Sequence, residues 1–214
     1  KILLIYEEYE DAKEIFDYLK ESGVTYDEID VLYGQYLINK TDSTAVDESS
    51  AKKLYNELIK KYSEKSRDER NFSLHYVYYI QAVFIEKENP QQALSFIEKA
   101  IEEKHDYIGA YYFKGKLLEK LNKKDEAITI YKKVLEINPK HQYANCAIAE
   151  IYDEREEYEK ALIYHTAQLE NAQSLYYFVN RGLAYMAIDK FEEARSDYYE
   201  GIKCDPDNPH PYNN

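Results

Sequence analysis

Five histidines (His75, His105, His141, His165, His210) and two cysteines (Cys146, Cys204) are the side chains in this 214-residue chain best suited to hold a metal or act as base or nucleophile. Zinc and similar ions need such residues in close, repeated spacings such as HExxH or paired Cys and His. No histidine here belongs to an HExxH, and the two cysteines are 58 positions apart with no clustered histidine. The spacing predicts no metal centre, catalytic residue, cofactor or disulfide framework. It points to a reducing compartment, the cytoplasm. Adjacent carboxylates could serve as general acid and base, but Glu156/Glu157 and Glu192/Glu193 fall at expected helix starts, where negative charge complements the helix dipole. Gly115 and Gly182 sit inside helical patterns, so they form no phosphate-binding loop. Catalysis is therefore not expected.

Recognition chemistry is better supplied. The chain has 41 Asp+Glu against 28 Lys+Arg, a formal charge of −13, which disfavours a nucleic-acid partner and favours a protein or peptide of basic or neutral character. It also has 25 Tyr, no Trp, 6 Gly and 5 Pro. So few breakers, with abundant Lys, Glu, Leu and Ala, point to helix throughout. The opening KILLIY is too short for a membrane span or a signal sequence, and no membrane insertion is expected in this segment.

The elements that must position these aromatics follow from periodicity. Ala93, Ala127, Ala161 and Ala194 recur at intervals of 34, 34 and 33. Around each stands the same arrangement. Gln81, Gly115, Ala149 and Gly182 lie twelve before, and Phe84, Leu118, Tyr152 and Tyr185 nine before. Ile97, Tyr131, His165 and Tyr198 lie four after, and Ala100, Val134, Gln168 and Gly201 seven after. Steps of three, four and seven share a helix face, so each unit is two amphipathic helices crossing closely at small residues. Pro139 and Pro206, twelve after their anchors, stop the second helix. Two looser units precede these. Ala12, Phe16 and Leu19 form a partial one; Gly34 with Ala51, Tyr55 and Leu58 forms an irregular one, interrupted by KTDSTAVDESS (residues 40–50), which reads as a surface loop.

The bulky, small, bulky alternation at a period of 34 resembles the tetratricopeptide repeat. About six repeats are implied, in one all-α domain: a partial repeat at 1–24, an irregular one at 25–66, and regular repeats at 72–106, 107–140, 141–174 and 175–208. A truncated start follows at 209–214. The resemblance implies a right-handed superhelical solenoid of antiparallel helix pairs whose first helices line a concave binding groove. Helical spacing then assigns the groove to Tyr78, Tyr79, Tyr112, Phe113, Lys116, Tyr143, Glu150, Tyr176 and Asn180. In the irregular repeat it adds Glu28, Val31, Gln35, Ile38 and Asn39.

The function this implies is a non-catalytic protein- or peptide-binding scaffold. The alternative is a regulatory or assembly segment of a larger signalling or transcription protein. Some members of the family grip a peptide's terminal carboxylate with a Lys/Asn clamp. The matching positions here are Cys146, Glu150, Asn180, His210 and Asn214, of which only Asn180 agrees, so that specialisation is not expected. The incomplete first and last units suggest a fragment of a longer protein. Their apolar faces would lack caps, so self-association through the ends is also expected.

Overall fold

The structure, a computed structural model, describes Gly34, residues 45–65 and residues 73–205. The expected units at 1–24 and 209–214, the groove positions from Glu28 to Asn39, and His210 and Asn214 lie outside those residues. Nine helices are described: α1 Ala45–Tyr62, α2 His75–Ile85, α3 Pro90–Glu103, α4 Ile108–Lys120, α5 Lys124–Ile137, α6 Gln142–Glu154, α7 Tyr158–Asn171, α8 Leu175–Ala187 and α9 Phe191–Cys204. There is no strand among the described residues. The chain divides into two compact units, Lys1–Ala110 and Tyr111–Asn214, with the division falling inside α4.

In the first unit α1 packs on α2, and α2 on α3. The residues expected to be a loop at 40–50 are partly helix: α1 begins at Ala45, two turns ahead of its first buried anchor, Ala51. Ser and Asp suit a helix start as well as a turn, and the buried face of Ala51, Tyr55 and Leu58 extends the helix toward them. Gln81 is also buried in this unit, and its amide nitrogen donates to the Lys52 carbonyl at 3.1 Å.

In the second unit α5 through α9 pack each on the next. All four anchor alanines are fully buried, as is Ala51: Ala51 and Ala93 in the first unit, and Ala127, Ala161 and Ala194 in the second. What sits across the crossing point is matched in size. A Cβ added to Gly115 or Gly182 would overlap the ring of Tyr131 or Tyr198, and one added to Gly34 would overlap Tyr55. Where the ring is the smaller imidazole of His165, the opposing residue is Ala149. The residues at the corresponding positions in α2 and α3 are Gln81 and Ile97, neither of them small. Small thus faces large wherever a ring stands at the crossing, which is how close-packed helices avoid both holes and clashes.

Turns repeat as faithfully as the core. α4, α6 and α8 each end in a left-handed residue, Asn122, Glu156 and Asp189, with φ of 60, 59 and 59°. In each turn the following amide reaches back to the helix: Lys123 to Leu118 at 2.8 Å, Glu157 to Tyr152 and Lys190 to Tyr185 at 2.9 Å. This Schellman closure satisfies the last carbonyls and reverses the chain within three residues. The second helices α3, α5, α7 and α9 end instead in extended residues, Lys104, Asn138, Ala172 and Asp205. Asn138 and Asp205 precede prolines, which disfavour helical geometry in the residue before them.

Candidate binding surface

The second unit presents the fuller surface. Tyr112 on α4 is half-buried and lies in a cluster with the Tyr131, His141 and Tyr143 rings, at centroid distances of 5.7, 5.2 and 6.1 Å. Tyr143 is 70% exposed. Tyr131 underlies this group: its ring is fully buried and its hydroxyl donates to the Glu119 carboxylate. Burial raises the Glu119 pKa; the tyrosine bond opposes that shift, while Glu150 and Glu154 add to it.

Cys146 on α6 stands between α4 and α8. Its thiol donates to Glu150 at 3.2 Å and lies 3.9 Å from the Tyr176 hydroxyl. Burial, then the Glu150 bond and charge, push the thiol pKa up to about 11, so it is a neutral, unreactive thiol at physiological pH. Tyr176 on α8 is 53% exposed and meets the Tyr177 ring edge-on at 5.4 Å. Beside it Tyr176, Val179, Asn180 and Leu183 help line an open cleft of about 640 Å³ that reaches Cys204 and Asp205.

Of the nine residues assigned from spacing, Tyr112, Lys116, Tyr143, Glu150, Tyr176 and Asn180 are at least partly exposed in the second unit. Phe113 is buried, 6% exposed, with the Lys116 ammonium 6.0 Å from its ring. In the first unit Tyr78 is also buried, 4% exposed, stacked on Phe96 at 6.2 Å. Tyr79 is half-buried and meets Tyr107 at 5.4 Å. Tyr78 and Phe113 therefore act as packing residues. Glu119 and Tyr177, absent from that assignment, border the cluster. Glu119 was detectable as the residue seven after Tyr112, one helical repeat along the same face.

The polar pairing under the surface also recurs. Asp153 is the counterpart of Glu119, one repeat later, and its carboxylate lies 2.8 Å from the buried His165 Nε2. His165 Nδ1 lies 3.3 Å from the side-chain oxygen of the buried Gln168. In the next repeat Met186 takes the carboxylate's place, and the buried Tyr198 hydroxyl has no partner among the described residues. No group of three or more His, Cys, Asp or Glu among the described residues is arranged to hold a metal ion. No described helix is long and apolar enough to cross a membrane.

Two stretches, 108–141 and 175–208, match the family model for the tetratricopeptide repeat. They correspond to α4–α5 and α8–α9, the pairs in which glycine faces tyrosine. Those two stretches are tetratricopeptide repeats. Among solved structures, the repeat array resembles YrrB, described as a TPR protein with an unusual peptide-binding site: TM-score 0.68, 19% identity, covering 92% of this chain and 96% of that one. It also resembles the pilF protein of Pseudomonas aeruginosa, at TM-score 0.69 and 14% identity over 96% of this chain and 88% of that one. A MamA protein gives TM-score 0.67 and 16% identity over 84% and 92%. At these identities the likeness concerns the fold. In sequence, 125 residues are 32% identical to the UDP-N-acetylglucosamine–peptide N-acetylglucosaminyltransferase of Giardia intestinalis; the match spans 58% of this chain and 8% of that protein.

Proposed function

We propose that this array is a non-catalytic scaffold that binds a protein or peptide segment across the first helices of its second unit. The observation that carries the reading is the pair Tyr143 and Tyr176. They occupy the same place on successive first helices, eighteen before Ala161 and Ala194, and remain 70% and 53% exposed. Large aromatic rings left open in register are typical of recognition surfaces, because they offer wide contact area with little rotamer freedom to lose. Tetratricopeptide repeats bind proteins or peptides as a class, and YrrB is described as having a peptide-binding site, which is consistent with this use.

The test is a Tyr143→Ala, Tyr176→Ala double variant of the full chain. Both rings project outward, so thermal stability should stay within about 0.5 kcal/mol of the parent. Partners recovered by affinity capture on the parent chain should bind the variant at least about 2 kcal/mol more weakly. Undiminished binding by a folded variant would move the site elsewhere.

A further inference from the structure

The same surface has a chemical preference, and this inference rests on the binding role just proposed. We propose that the cluster formed by Tyr112, Tyr143, Tyr176, Cys146 and Glu150 seats a cationic side chain, lysine or arginine, of the bound segment. Three observations support it.

The rings come first. Tyr112 and Tyr143 are 6.1 Å apart and tilted by 44°, and the Tyr176 hydroxyl approaches the same Cys146 sulfur at 3.9 Å. Tyrosine faces carry negative potential, and a cation within about 6 Å of a ring is attracted to it. The second is an unused carboxylate. Glu150 is exposed, accepts only the Cys146 thiol and has no ion-pair partner among the described residues. On α4, Lys116 lies over the Phe113 ring at 6.0 Å.

The third is the sign of the field. Tyr112, Cys146, Tyr176 and Tyr177 all have raised pKa values. Burial is the largest cause for each, and the Glu150 carboxylate adds to it for Tyr112, Cys146 and Tyr176. Each of these groups resists acquiring negative charge. The Glu150 carboxylate would repel a carboxylate ligand and attract an ammonium or guanidinium. Arginine could stack on one ring while donating to Glu150; lysine could place its ammonium among the rings. The match is one of charge and shape together, since a neutral side chain would gain only contact area.

The experiment is selection of a random dodecapeptide display library on the full chain, followed by fluorescence anisotropy with the recovered peptides. Selected peptides should be enriched in Lys or Arg. Replacing that residue by Gln should weaken binding about tenfold. Glu150→Gln, which retains a carbonyl to accept from Cys146, should cost a similar factor and reduce the salt dependence. Peptides lost on the Tyr143→Ala, Tyr176→Ala variant but lacking a required cation would overturn this inference and leave the binding role standing. Full affinity for basic peptides after Glu150→Gln would overturn it too. Peptides indifferent to both variants would overturn the two proposals together.

Discussion

At the scale of single residues, the α4–α5 and α8–α9 pairs each depend on a match between one missing side chain and one ring. Gly115→Ala places a methyl group into the Tyr131 ring, which is fully buried and cannot swing away. The expected loss is about 1–3 kcal/mol, measured by denaturant unfolding. Tyr131→His in the same chain should recover part of it, because Ala149 and His165 already coexist at the equivalent place one repeat later. If the second change only deepened the loss, the size match would not be the governing interaction. The surface was less legible than this interlock. Tyr78 and Tyr112 both stand fifteen before their anchors, so spacing treats them alike. Yet Tyr78 is covered by Phe96, while Tyr112 leans on Tyr143 at the surface. Which ring is covered depends on what the neighbouring helix presents, and a periodic pattern does not contain that information.

At the scale of elements, the turns and caps carry two testable costs. Glu156 holds φ at 59°, where its Cβ crowds the backbone, and its counterpart Asn122 is a residue more tolerant of that region. Glu156→Gly should therefore stabilise the chain by about 0.5–1 kcal/mol in denaturant melts, the relief of strain exceeding the added freedom of the unfolded chain. The start of α6 depends on pH. His141 Nδ1 accepts the Ala144 amide at 3.2 Å, which only the unprotonated nitrogen can do. Burial lowers the His141 pKa from 6.5, so the unfolded chain takes up the proton first as pH falls. Its contribution to stability is complete above about 6.5 and declines as pH drops through the lowered folded value. Unfolding at pH 7.5 and 5.5 should show this slope, and His141→Asn, which can still cap, should lack its share of it. The helices from α2 onward were legible because apolar spacing, prolines and small crossing residues agree along that stretch. The start of α1 was not, because the composition of residues 40–50 suits a turn and a helix entrance equally.

At the scale of the whole molecule, stability is built from neighbour to neighbour. Arg181 on α8 donates from Nε and Nη2 to both oxygens of Asp197 on α9, at 2.7 and 2.6 Å, and from Nη1 to Thr166 on α7 at 3.4 Å. Asp197 is 4% exposed, so Asp197→Ala would leave the guanidinium largely buried without its counter-charge, at a cost of about 3–5 kcal/mol. In a repeat array such a loss should be local. Hydrogen exchange should show α8 and α9 losing protection while α5 and α6 keep theirs, and uniform loss would mean a single cooperative core. The pairing of glycine with tyrosine also bears on the history of the repeats. A pair of the Gly–Tyr kind can become an Ala–His pair by two orders of mutation. Enlarging the glycine first forces a collision with an immovable ring, whereas shrinking the ring first leaves only a partial void. Lineages descending from a common ancestral hairpin should therefore have passed through Gly–His more often than Ala–Tyr.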